Sequence, residues 1–169
     1  MRLTPENYQI ILAHEPVASN ALADTAAPIN LENCNGVLII IQEDYAVDAT
    51  SLVLTVHEGA TAGACTSGTY PLLASSASVK GSEFQIWVNL TAQTSDVFTK
   101  QTDAVTYTIN GAAGDNAIVC FYVSASCLTN GRKWISLGAA AGDAGNLVSV
   151  TYILDGARYQ GASLPEATS

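Results

Sequence analysis

Apolar and polar residues alternate with a period of two along most of this chain. In residues 105–110, Val105, Tyr107 and Ile109 fall on one side and Thr106, Thr108 and Asn110 on the other, the pattern of a strand with one buried and one wet face. Residues 84–90 group Phe84, Ile86, Val88 and Leu90 opposite Gln85, Trp87 and Asn89; residues 51–58 group Leu52, Leu54 and Val56 opposite Thr55 and His57. Two runs behave differently. Residues 37–41 (VLIII) and 117–123 (AIVCFYV) are apolar at every position, which predicts central strands packed on each side.

Turn signals separate these runs. Asn35-Gly36, Asn110-Gly111 and Asn130-Gly131 offer the positive backbone angle that a tight turn needs. The related segments 112–117 and 140–145 each precede a strong strand, with Asp115 and Asp143 expected to bond local backbone amides. Helical signal is poor: residues 15–28 are Ala-rich but bounded by Pro16 and Pro28, so they predict a linker or at most one short helical turn. That stretch isolates the apolar segment 8–13 (YQIILA), a detached strand that either completes the chain's own sheet or reaches across to a neighbouring subunit. About ten short strands with almost no helix predict an all-β fold. We expect an antiparallel β-sandwich or jelly-roll with an extended N-terminal arm: residues 1–28 as arm and linker, and 29–169 as the sandwich domain.

Composition adds an unusual surface. Of 169 residues, 49% are hydrophobic and 12% charged, against about 25% charged in an ordinary soluble domain. Abundant Ala, Gly, Ser and Thr must therefore supply much of the exterior, a small and neutral surface suited to close protein contact. Fifteen acidic residues against six basic ones give a net charge of −9, and only Arg132 and Lys133 are adjacent among the basic residues. No basic stripe is available to neutralise phosphates, which argues against a nucleic-acid partner. The first residues lack a signal-peptide core and no apolar run approaches a membrane span, so we expect no membrane association.

Candidate chemistry is sparse. His14 and His57 are the only histidines, and neither has a second ligand or base at a meaningful spacing. His57 reads as a surface residue on the polar side of its strand. No nucleophile elbow, HExxH or phosphate loop occurs. Glu43, Asp44 and Asp48 have the oxygens for calcium but not the spacing of a calcium loop, and read as a solvated loop. Cys34, Cys65, Cys120 and Cys127 form no CxxC pair; Cys120 reads as a small buried hydrophobe, and Cys34 with Cys65, in expected turns, as the one pair to consider for a bridge. The NLT triplet at 89–91 matches a glycosylation acceptor but falls in a predicted strand. Trp87, Trp134 and Tyr45 suit the core first, a protein interface second and a sugar-binding surface third. No catalytic residue, metal ligand or cofactor is expected.

Residues 130–161 (NGRKWISLGAAAGDAGNLVSVTYILDGARYQG) and 33–59 (NCNGVLIIIQEDYAVDATSLVLTVHEG) together resemble a family of small head proteins of tailed bacteriophages, in which a strand-rich sandwich is added to the capsid. The resemblance spans about two-thirds of the chain in strand order and spacing, and residues 75–111 depart from it. It implies a non-enzymatic decoration or minor capsid protein on the virion exterior, assembled in the bacterial cytoplasm and bound to the major capsid protein. Tyr8, Ile10 and Leu12 of the arm, with Arg158 and Tyr159 of the tail, are the candidate intersubunit or capsid contacts. Exchange of the arm would favour a homo-oligomeric ring such as a trimer. The alternative is a carbohydrate-binding, tail or neck module of the virion.

Overall fold

The computed structural model describes residues 8–22, 26–44, 50–66, 84–102, 104–110 and 116–156. Among them the alternating runs become strands β1 (Gln9–Ala18), β2 (Ile29–Asn30), β3 (Gly36–Asp44), β4 (Leu52–Gly59), β5 (Phe84–Asn89), β6 (Thr99–Lys100), β7 (Thr106–Ile109), β8 (Ala117–Ser124), β9 (Trp134–Ala141) and β10 (Leu147–Asp155), with one five-residue helix, α1 (Ala62–Thr66). They form a sandwich of two antiparallel sheets, one of six strands in the order β1-β10-β3-β8-β5-β6 and one of four in the order β2-β9-β4-β7.

The inward residues of each strand meet in a single core. Val37, Ile39 and Ile41 of β3, with Val119, Phe121 and Val123 of β8, face Leu52, Leu54 and Val56 of β4 and Ile135 and Leu137 of β9, all buried. Phe84 and Phe121 pack with ring centroids 6.1 Å apart and planes tilted by 51°, a favourable aromatic geometry. Tyr152 of β10, fully buried, links the two sheets: its hydroxyl accepts a hydrogen bond from the Leu137 amide at 3.1 Å.

The N-terminal segment completes the chain's own sheet. β1 pairs with β10 from Gln9 opposite Leu154 to Ala18 opposite Leu147, with irregularities on either side of His14. Pro16, expected to bound a linker, sits inside this strand, which an edge tolerates because one row of amides has no ladder partner. The chain then makes a 3-10 turn at Ser19–Ala21, and Ser19, Leu22 and Ala26 are buried. Ser19 is pinned to the β9–β10 connection: its amide donates to the Asn146 carbonyl at 2.7 Å and its hydroxyl to the Asp143 carbonyl at 3.0 Å, while the Asp143 amide donates to that hydroxyl at 2.8 Å. Asp143 is the turn former the sequence indicated, its carboxylate accepting from the Gly145 amide at 2.8 Å. Asp115 lies outside the described residues.

Two turn readings divide. Gly131 has the positive φ expected, at 84°, whereas Gly36 opens β3 and is needed for space. A Cβ there would lie 2.6 Å from the Val123 carbonyl oxygen and 3.0 Å from the Tyr122 hydroxyl. The gap lets Tyr122 reach over β3 and donate to the Asp155 carboxylate on β10 at 3.3 Å. Gly36→Ala must push β3 and β8 apart against backbone, and is expected to cost about 2 kcal/mol, a fall of roughly 4–8 °C in thermal midpoint. An unchanged midpoint in differential scanning calorimetry would show that the ladder yields without strain.

Candidate functional site

The two sheets turn different surfaces outward. On the four-stranded sheet the outward positions are hydroxyl-rich, with Thr106 and Thr108 exposed and the Thr55 and Thr106 hydroxyls 3.3 Å apart. One end of that face is covered by α1. The Cys65 thiol donates to the His57 carbonyl and the Ser136 hydroxyl to the Cys65 carbonyl at 2.9 Å. Gly59 permits this docking, since a Cβ there would lie 2.7 Å from the Cys65 amide nitrogen. His57, read from sequence as a surface residue, is therefore buried: its side chain does point to the polar side of β4, but the short helix lies over it.

The middle of the six-stranded sheet carries apolar side chains on its outer face as well as its inner one. Strand register lines up Ile10, Ile153, Leu38, Tyr122 and Gln85 in one row across β1, β10, β3, β8 and β5. The next outward row runs Leu12, Thr151, Ile40, Cys120, Trp87 and Lys100, extending to β6. In these rows only Lys100, at the far edge, carries a charge. Ile10 is 60% exposed, Leu12 63% and Trp87 37%, and Leu38, Ile40, Cys120, Tyr122 and Ile153 are half-buried by their neighbours. Below them Ile118, Gln42, Ser149 and the half-exposed Leu147 border a depression of about 320 Å³ that Pro16 and Ala92 also line.

Three of the residues expected to make contacts fall on or beside this face. Ile10 and Leu12 project from its β1 edge, and Tyr8 precedes that strand, half-buried. Arg158, Tyr159, Tyr45 and Asp48 lie outside the described residues. The structure adds what sequence reasoning missed, namely Leu38, Ile40, Cys120, Tyr122 and Ile153 as outer-surface residues. Their signal was present, since the runs 37–41 and 117–123 are apolar at both parities. Apolar residues at both parities predict packing on each side, and the sandwich covers one side.

Other expectations are corrected by placement. Cys120 is half-buried and turned outward beside Trp87 rather than enclosed, with desolvation pushing its thiol up to about 11. Cys34 and Cys65 are both buried, Cys65 in α1 rather than a turn, its thiol pushed up to about 11, chiefly by burial. Glu43 is not part of a solvated loop: it lies within β3, 2% exposed, while Asp44 ends that strand at the surface. No group of three or more potential metal ligands gathers among the described residues. Asn89 of the NLT triplet is buried and engaged in a local turn. Its amide nitrogen donates to the Ser95 carbonyl at 2.7 Å and its oxygen accepts from the Thr91 amide at 2.9 Å.

The arrangement is suited to adhesion. A half-exposed apolar surface with no charge inside its margins gains free energy by leaving water at about 25 cal/mol per Å², and contiguous patches of this kind mark interaction sites. No family model, curated protein or solved structure matches the chain. Among the described residues no helix is long and apolar enough to cross a membrane.

Proposed function

We propose that this chain is a non-enzymatic structural protein that works by association, burying the outer face of its six-stranded sheet against protein. The observation that carries the reading is the pair of rows through Leu38 and Ile40, mostly apolar and uncharged from β1 to β5 in a chain of net charge −9. Aromatic and aliphatic anchors surrounded by uncharged neighbours are what interface centres are made of. The resemblance to phage head proteins supplies the larger assembly: a decoration or minor capsid protein that binds the assembled shell and stabilises that state by mass action.

The test mixes the purified chain with mature heads of a phage that lacks it and follows cosedimentation. Saturable binding at a fixed ratio to the major capsid protein is expected, with the affinity of Ile40→Asp at least tenfold weaker. Absence of binding would sink the head assignment, and equal binding by Ile40→Asp would sink the role of the face. A second reading, a glycan-binding virion module, is favoured by one observation. Trp87 stands 37% exposed on a flat surface, its indole N–H donating to the Gln85 side chain at 3.1 Å. A saturable change in tryptophan fluorescence with host glycans, lost in Trp87→Ala, would select it.

A further inference from the structure

We propose that the outer face of the six-stranded sheet is a self-recognition surface, across which two copies of this chain stack around a two-fold axis. The inference rests on the reading of that face as a protein-docking surface and names its occupant; the pair then meets a shell through its other surfaces, and Ile40→Asp weakens that binding by halving the valence.

Charge is the first argument. Copies carrying −9 each repel within the roughly 8 Å over which physiological salt leaves charges unscreened. They meet at least cost where carboxylates are fewest: the rows through Leu38 and Ile40 carry none, Asp44 lies at a strand end, and Asp155 at the margin is hydrogen-bonded by Tyr122. A cation-rich partner would find little on this face to pair with; an identical uncharged face is its complement.

Area is the second. Five long strands about 4.8 Å apart, with outward residues along about 20 Å of strand, present a flat footprint of about 500 Å², to which the two residues of β6 add little. Over two copies that is about 1,000 Å² in total, the threshold for a specific contact and the size class of weak, reversible association. The face is thus large enough for a reversible dimer in the micromolar range.

Geometry is the third. Stacked sheets pack about 10 Å apart with strands nearly aligned, and a face that meets its own copy does so isologously. With the axis parallel to the strands and between β3 and β8, Ile40 of each copy lies on Cys120 of the other, and Thr151 on Trp87. This arrangement is two-fold rather than the ring expected from an exchanged arm, and it leaves β1 closed on its own β10.

Cys120 supplies a built-in probe, because the other three cysteines are buried. Sedimentation equilibrium of the full chain is expected to pass from 17.5 kDa to twice that mass as concentration rises into the micromolar range. Maleimide labelling of Cys120 is expected to slow at least tenfold over the same range. Ile40→Asp and, at the exposed edge, Leu12→Asp should each restore the single-chain mass, while Thr108→Asp on the opposite sheet should not. Leu12→Asp guards against misfolding of the central variant. A chain that stays at 17.5 kDa with Cys120 labelled at every concentration overturns the proposal. If that monomer still binds heads and loses them on Ile40→Asp, the docking reading survives with a different protein as occupant; if Ile40→Asp changes nothing, both fail. A monomer whose Cys120 is shielded at every dilution also overturns it, and assigns the face to a segment of the same chain.

Discussion

Tyr152→Ala is expected to cost about 4 kcal/mol of unfolding free energy, the range for emptying a large buried aromatic site, and Tyr152→Phe about 1–2 kcal/mol. The two variants separate two contributions. Alanine leaves a cavity in the middle of the six-stranded sheet, where Tyr152 is fully buried between Ile11 and Ile39 in register. Phenylalanine keeps the packing but removes the acceptor of the Leu137 amide, the hydrogen bond that ties one sheet to the other. Urea denaturation measures both; a Phe variant as stable as the parent would show that the Leu137 amide finds another acceptor. The phenol carries a pH signature as well. Burial, the largest cause, holds its ionisation well above the ordinary value of 10.0. The folded state therefore keeps this proton more tightly than the unfolded chain, the contribution is complete below the ordinary phenol value, and it is lost as pH rises above it. Burial raises Tyr107 and Tyr122 in the same direction. Tyr152→Phe should accordingly shallow the alkaline fall in stability without abolishing it.

The second large effect is expected at Glu58. Its carboxylate is 1% exposed and accepts from the Arg132 guanidinium at 2.8 Å, from the Thr129 amide at 2.9 Å and from the Thr129 hydroxyl. Arg132 is 27% exposed, so removing each partner has a different consequence. Arg132→Ala strands a buried anion, for which about 3–5 kcal/mol is the usual cost; the Thr129 bonds that remain place this case near 3. Glu58→Ala leaves a cation that turns into water, but deprives the Thr129 amide of its acceptor, for about 2 kcal/mol. A double variant should lose less than the sum, since the stranded anion is gone. Strict additivity in the cycle would show that the two groups do not act together. The neighbouring Lys133–Glu32 contact at 2.7 Å, half-exposed on both sides, is expected to add little.

The strand core was legible because alternation is a local property. Leu52, Leu54 and Val56, like Phe84, Ile86 and Val88, follow the pleat, and each is buried where the pattern put it. The outer face was only half legible. Ile40 and Cys120 register as apolar on the second side of their strands, but a sequence does not say whether a second side is covered by its own chain or by another. His57 was illegible for a different reason: what buries it is Ala62–Thr66, five residues too short to show a helical period. Pro16 was misleading because a proline ends most elements, while at a sheet edge it costs no ladder bond. Glu43 reads as part of a solvated loop because of its acidic neighbours at 44 and 48, whereas it is a buried strand residue.

The pairing of β1 with β10 has a mechanical consequence. Gln9 lies opposite Leu154, so the chain enters its first strand and leaves its last at adjacent points on the same end of the sheet. A pull between those points loads the β1–β10 ladder one rung at a time, as a zipper opens, rather than shearing all its rungs together. Peeling would run down to Ala18 and stop at Ser19, whose three bonds to the β9–β10 connection act as the end stop of the zip. Force spectroscopy with handles at residues 9 and 155 should therefore record a low-force step that releases β1 alone, followed by a higher one when that clasp gives way; a single high-force event would show that the strand is held in shear.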